Sequence, residues 1–271
     1  MRTVSEDEQK VIMLDILSEI DRFCTENNLR YSLAYGTLLG AIRHKGFIPW
    51  DDDIDIVMDR ENYERFCSLF NNKRNDSYKL VSTDNTPGYY LLSAKVCDTR
   101  TVLVEAVKNP IELGVYVDIF VNDYLSSDYK KAKQIVNKIN RIFRIIRITS
   151  IPDRKGRAWY KRLLLRFAHL FSIFINRNEL LERVQRIAKS CEADKDSEYC
   201  GSVTSLYYGE REIMKSEWWE GKMNRVQFED RFCYVPQAYD SILSQLYGDY
   251  MTPPPKEKQI THHKRDVFWR E

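Results

Sequence analysis

The chain has 271 residues, and its 43% hydrophobic and 13% aromatic content is enough for the core of one large domain, with or without an insertion. A charged fraction of 30% on top of that core excludes a disordered chain and points to a soluble protein. The formal net charge of +2 hides an asymmetry: residues 130–177 carry 14 Lys and Arg against the single acidic Asp153, while the rest carries 28 basic and 39 acidic residues, a net of −11. An acidic body with a basic segment suggests an anionic partner for that segment.

The N-terminal run SEDEQKVIMLDILSEI is acidic and amphipathic, unlike a secretory signal. Ser5 followed by Glu8 reads as a capping box. Val11, Ile12, Leu14, Ile16, Leu17, Ile20 and Phe23 then recur at helical spacing, predicting a helix over about residues 5–28. A short strand is expected over Tyr31–Ala34, and Gly36-Thr37 opens a brief helix through Ile42. Asp53-Ile-Asp-Ile-Val-Met58 alternates polar and apolar as a half-buried strand does, followed by a helix over about 60–70. Leu91–Val96, Thr101–Val104 and Gly114–Val121 are further strand candidates. From Asp128 to about Ser190 the pattern is helical and basic, interrupted at Ile151–Asp153 and near 176–178; mixed structure returns at Gly201.

The six cysteines (Cys24, Cys67, Cys97, Cys191, Cys200, Cys233) form no CxxC pair and are expected to be reduced, with no zinc site. The longest apolar run, Leu163–Ile175, is interrupted by Arg166 and His169 and is shorter than the roughly 20 residues a bilayer crossing needs. The reading is therefore an α/β protein with a small mixed sheet and a basic helical insertion, partitioned as 1–127, 128–200 and 201–271. Its expected place is the cytoplasm, or the inner face of the membrane as a peripheral protein.

Chemistry concentrates between Gly36 and Asp55. On a strand, Asp53 and Asp55 point the same way, while Pro49-Trp50 puts Asp51 in the preceding turn. Two carboxylates this close repel unless a cation lies between them, and hard oxygen ligands suit Mg²⁺. Asp118, within the largely apolar run Val115–Phe120, is the best third carboxylate, because an isolated buried Asp is costly unless paired or metal-bound. The alternative is a strand-end Asp facing water. Gly36 allows close backbone approach, and the amides at Gly36-Thr37 at the helix start suit a phosphate.

Arg43, His44 and Lys45 lie between the glycine turn and the acidic run, either as phosphate contacts or as solvated loop residues. Lys95 either projects into the same cleft or is an exposed strand-end lysine. Lys256, His262 and His263 lie in a tail that must fold back to contribute. Trp50, Trp218, Trp219 and Trp269 are core or rim residues, or stacking partners for a base or a quaternary ammonium. The apolar positions Ile139, Ile142, Phe143 and Ile146, with Leu163, Leu164, Phe167, Leu170, Phe171 and Phe174, lie opposite Lys and Arg. Such helices lie on anionic membranes or pack as a subdomain.

The whole motif, Gly36-Thr-Leu-Leu-Gly-Ala-Ile-Arg-His-Lys-Gly-Phe-Ile-Pro-Trp-Asp-Asp-Asp-Ile-Asp55, resembles the signature of the LicD family, phosphotransferases on a nucleotidyltransferase fold related to fukutin and fukutin-related protein. The tail Tyr247-Gly-Asp-Tyr-Met-Thr-Pro-Pro-Pro-Lys256, followed by His262-His263, is similar to the end of the same family, so the resemblance spans about residues 30–120 and 200–265. It implies a nucleotidyltransferase-like core with Asp53 and Asp55 as paired ligands of Mg²⁺ or Mn²⁺ and Asp118 as the third acidic residue. It also implies transfer of phosphocholine or a polyol phosphate from a CDP-activated donor to a sugar hydroxyl of a cell-surface glycan precursor, releasing CMP. A glycan or lipid-linked glycan acceptor is the expected partner, with an anionic membrane for residues 130–177 and no nucleic acid. Two other readings stay open: a nucleotidyltransferase that releases pyrophosphate, and a catalytically silent membrane- or RNA-binding scaffold.

Overall fold

The computed structural model describes residues 2–72, 77–89, 91–104, 111–150, 159–160, 162–163, 166, 170, 176–191, 196–202, 207–261 and 266–271. The contacts divide them into two units, residues 1–122 with 214–271, and residues 123–213.

In the first unit, the opening helix α1 (Glu6–Glu26) has both ends of its capping box made: Ser5 Oγ accepts from the Glu8 amide, and the Glu8 carboxylate accepts from the Ser5 amide. Ile12, Met13, Ile16, Leu17, Ile20 and Phe23 form its buried stripe. Val11, expected on that stripe, is exposed, because it falls one position off the face. The second helix, α2 (Tyr35–Arg43), follows the two-residue strand β1 (Ser32–Leu33). Next come strand β2 (Asp55–Asp59) and helix α3 (Arg60–Asn72), whose Phe66 and Phe70 meet Phe23 edge-on at ring distances of 5.5 and 5.0 Å.

Strands β3 (Tyr78–Val81), β4 (Ala94–Asp98), β5 (Thr101–Val104) and β6 (Tyr116–Tyr124) complete the first half. A mixed sheet runs in the order β1-β2-β6-β4-β3, with β2 parallel to β6 and the other neighbours antiparallel. Its centre, β6, is buried over every residue but the last, as a strand covered on both faces must be. After strands β7 (Tyr199–Gly201) and β8 (Met214–Lys215) the chain adds a short helix (Ser216–Glu220), a hairpin of β9 (Met223–Phe228) and β10 (Arg231–Pro236), a helix (Tyr239–Tyr247) and a last strand (Asp266–Trp269) that pairs with β5.

Three sequence expectations shift, among them the strand expected over Gly114–Val121, which lies at Tyr116–Tyr124. The strand expected from Asp53 begins at Asp55, because the Asp51–Asp53 run stays in the turn after Pro49. The strand expected over Leu91–Val96 lies at Ala94–Asp98, where register with β3 and β6 places it.

The second unit is built on α4 (Tyr129–Ser150) and α5 (Arg177–Cys191), with a strand at Tyr199–Gly201 that pairs with the last two residues of β6. Ala132, Val136, Ile139, Ile142 and Ile146 recur every three or four residues and are buried where α4 packs on α5, which buries Leu181, Val184 and Ala188. The apolar face of α4 is thus internal to this unit. Lys130, Lys131, Lys138, Arg141 and Arg144 are exposed.

Candidate active site

Register brings the site together. Asp118 at the third position of β6 lies beside Asp55 on one neighbouring strand and Lys95 on the other. Residues opposite one another across a sheet share a face, so Asp55, Asp118 and Lys95 form one row across three strands. Lys95, expected either in the cleft or at an exposed strand end, is 4% exposed; its ammonium lies 2.5 Å from an Asp118 carboxylate oxygen and 3.5 Å from the centre of the Tyr116 ring. Asp118 is buried too, so the alternative of a strand-end Asp facing water does not hold.

The start of β2 is pinned from α2. Thr37 is buried, and its hydroxyl oxygen accepts from the Asp55 amide at 2.8 Å. The Asp55 carbonyl accepts from Ala34 at 2.9 Å, and the Ile54 carbonyl accepts from the Asp118 amide at 3.0 Å. The Thr37 hydroxyl therefore has a structural task, distinct from the phosphate contact expected of the backbone amides at this helix start.

Among the described residues, Asp51, Asp52 and Asp53 offer carboxylate oxygens that all lie within 4.8 Å of one another. Asp51 was set apart as a turn residue by sequence, yet its carboxylate stands against Gly36: a β-carbon on that glycine would lie 2.5 Å from Asp51 Oδ2. Burial first, then the charges of Asp53 and Asp52, push the Asp51 carboxyl up to about 7. Asp55 is held well above the usual carboxylate range by loss of solvation, then by Asp53, Asp118 and Asp51; the opposing pull of Lys95 is weaker. Carboxylates crowded in this way, with hard oxygen donors from one turn and one strand, are the donor set a small divalent cation fits.

The other expected site residues scatter. Arg43 donates from Nη1 to the Tyr250 carbonyl at 2.6 Å, tying the motif to the tail. His44 packs edge-on to Trp50 at 6.2 Å, and burial together with Arg43 holds its pKa below the usual value, so the ring is neutral at neutral pH. Lys45 is exposed with a φ of 61°, and Lys256 is exposed in a single turn at Lys256–Lys258. His262 and His263 lie outside the described residues.

A clamp that the sequence did not suggest holds the loop between α2 and the acidic turn. Glu229, at the tip of the β9–β10 hairpin, accepts from the Phe47 amide at 2.9 Å and donates its own amide to the Lys45 carbonyl at 2.7 Å. A β-carbon on Gly46 would lie 2.1 Å from its carboxylate, and Phe228 packs on Phe47 at 5.1 Å. Glu229 stands about 180 positions from its partners, so only a glycine in a crowded turn marked the place.

A family model described as "LicD/FKTN/FKRP, nucleotidyltransferase domain" matches residues 28–146, which contain β2, β4 and the acidic turn. The chain is 32% identical over 276 aligned residues, 99% of each chain, to the lipopolysaccharide cholinephosphotransferase LicD of Haemophilus influenzae. Shorter similarities join it to an uncharacterized protein of Rickettsia typhi, 35% identical over 27% of this chain and 24% of that one. Another, from Rickettsia prowazekii, is 42% identical over 18% of this chain and 19% of its own length. The chain belongs to the LicD family of transferases.

Proposed function

We propose that the protein transfers a phospho-substituent, phosphocholine in the first instance, from a CDP-activated donor to a sugar hydroxyl of a lipopolysaccharide or a related surface glycan, releasing CMP. The observation that carries this reading is the end-to-end similarity to a lipopolysaccharide cholinephosphotransferase, on a chain whose motif carboxylates gather around one strand row. Asp53 and Asp55, with Asp51 beside them and Asp118 completing the row, would hold Mg²⁺ or Mn²⁺. A bound divalent ion supplies charge neutralisation at phosphate oxygens.

The residues themselves contribute orientation. The Thr37 hydroxyl fixes the backbone of Asp55, and Lys95 fixes the rotamer of Asp118 so that one of its oxygens is committed and the other is left to a ligand or an acceptor hydroxyl. Gly36 leaves room for the Asp51 carboxylate. His44, neutral, donates or accepts without adding charge.

The test is incubation of the purified protein with Mg²⁺, CDP-choline and lipopolysaccharide lacking phosphocholine, following CMP by chromatography and phosphocholine on the glycan by mass spectrometry. Appearance of both supports the reading. Pyrophosphate released from a nucleoside triphosphate would instead assign NMP transfer. No turnover across a panel of CDP-activated donors would refute it.

A further inference from the structure

Within residues 123–213 the charge and the exposed apolar surface are distributed unlike those of an ordinary packed subdomain. The apolar stripe of α4 is covered by α5, which leaves the outer surface of α4 to Lys130, Lys131, Lys138, Arg141 and Arg144. Further on, Trp159 is 77% exposed, Leu170 58%, Tyr160 50% and Leu163 46%, with Arg166 exposed among them. Four large apolar side chains in water within twelve residues of sequence, interleaved with Lys161, Arg162 and Arg166, are costly unless something covers them.

We propose that Trp159, Tyr160, Leu163 and Leu170 form a contact for an anionic lipid surface, with the basic side chains of this segment and of α4 supplying the attraction. The occupant follows from complementarity. The surrounding 130–177 stretch holds 14 basic residues and one acidic residue, so the covering surface is anionic; the exposed side chains are aliphatic as well as aromatic, so it is also apolar beneath its charge. A bilayer of anionic lipids is both, with headgroups for Lys and Arg and an acyl boundary for Trp and Leu. Nucleic acid offers charge and stacking faces but no apolar layer for Leu163 and Leu170. No helix among the described residues is long and apolar enough to cross a membrane, so the contact is one that lies on the surface. This inference deepens the proposed transfer, since a lipid-bearing glycan acceptor resides at such a surface, but vesicle binding is measured without turnover.

The experiment is co-sedimentation of the full chain with vesicles of phosphatidylcholine alone or with 30 mol% phosphatidylglycerol, from about 0.1 to 1 M salt, over which the Debye length falls from about 10 to 3 Å. Expected is binding to the anionic vesicles at least about tenfold tighter than to the neutral ones, weakening as salt rises. A Trp159→Ser/Leu163→Ser/Leu170→Ser variant, confirmed folded by circular dichroism, should lose at least about tenfold in binding although every charge is kept. The same variant should retain transfer to a delipidated acceptor, which separates failure of the lipid contact from failure of the transferase reading. Equal binding to both vesicle types, no binding to either, or wild-type binding by the triple variant would overturn the proposal. Binding to single-stranded RNA in place of vesicles would assign the surface to nucleic acid and overturn it equally.

Discussion

The two units treat charge in opposite ways. In the first, acidic groups crowd one another: loss of solvation and the neighbouring carboxylates push the carboxyls of Asp51 and Asp55 up, and the buried Lys95 offsets part of the charge around Asp55 and Asp118. In the second, basic groups are spread outward into solvent from a helix whose apolar stripe is already satisfied. Buried charge of one sign is unstable by itself and marks a place where a ligand of the other sign completes the structure. Exposed charge is nearly free of that cost and acts through attraction at a distance. The difference predicts that substitutions will behave in opposite ways in the two regions.

The largest effect is expected at the acidic row. If the proposed cation site is right, Asp53→Asn or Asp55→Asn should lower transfer by at least about a thousandfold, roughly 4 kcal/mol in the barrier, because each would remove a charge that holds the cation. The same changes should leave the metal-free protein no less stable in urea, since they relieve repulsion. Steady-state kinetics beside metal-free denaturation checks both halves. Full activity with lowered stability would mean that the carboxylates are scaffolding.

Next is the buried pair. Lys95→Met removes the counter-charge of Asp118 and should cost about 3 kcal/mol, and Lys95→Met/Asp118→Asn should recover most of that, because a lone buried charge is worse than none. On the outer face of α4, Lys138→Met should change stability by less than about 0.5 kcal/mol. Comparable losses at Lys95 and Lys138 would erase the contrast between the units.

How much of this was legible in the sequence follows the range of the forces involved. The capping box of α1, the strand after the acidic run and the place of Asp118 in a buried strand rest on local periodicity and composition, which a sequence displays directly, whereas the register of Asp55 with Asp118 joins distant segments and was not legible. The burial of Lys95 was not legible, because an Ala-Lys-Val strand reads the same whether Lys faces water or a carboxylate across the sheet. Asp51 lies in the turn that Pro49-Trp50 implied, but its approach to Gly36 was not legible, because a turn can aim a carboxylate in any direction. The apolar positions of α4 gave a correct face, but the α5 stripe that covers it could be matched to it only in three dimensions.

A pH experiment tests the acidic row with a smaller effect. The Asp51 carboxyl titrates near 7 when folded, against an ordinary value of 3.8, so the folded chain binds a proton more tightly than the unfolded one. That contribution is complete below about pH 4 and is lost as pH rises through 7. In chelator, the melting temperature should therefore be higher at pH 5.5 than at pH 8 by a few degrees, on the order of 1 kcal/mol or more. Saturating Mg²⁺ should flatten the difference. A metal-free melting temperature that rises with pH would contradict the crowding of charge at this turn.

The smallest effect separates positioning from stability at the β9–β10 tip. Glu229 holds Lys45 and Phe47 through one bond from its carboxylate and one from its amide, at a φ of 55° that disfavours any side chain. Glu229→Ala keeps the unfavourable backbone and loses the carboxylate bond, a cost of about 1 kcal/mol. Glu229→Gly loses the same bond but relieves the backbone by a similar amount, so its stability should stay near that of the parent. If the clamp serves only the fold, Glu229→Gly will transfer normally. If it sets the direction of the loop that leads into Asp51, Asp52 and Asp53, both variants will lose transfer by about tenfold, one destabilised and the other not. Parallel kinetics and urea titrations of the pair distinguish these outcomes. Activity that follows stability across the two would confine the clamp to folding, whereas equal loss in both would make Glu229, far from the motif in sequence, a positioning residue of the site.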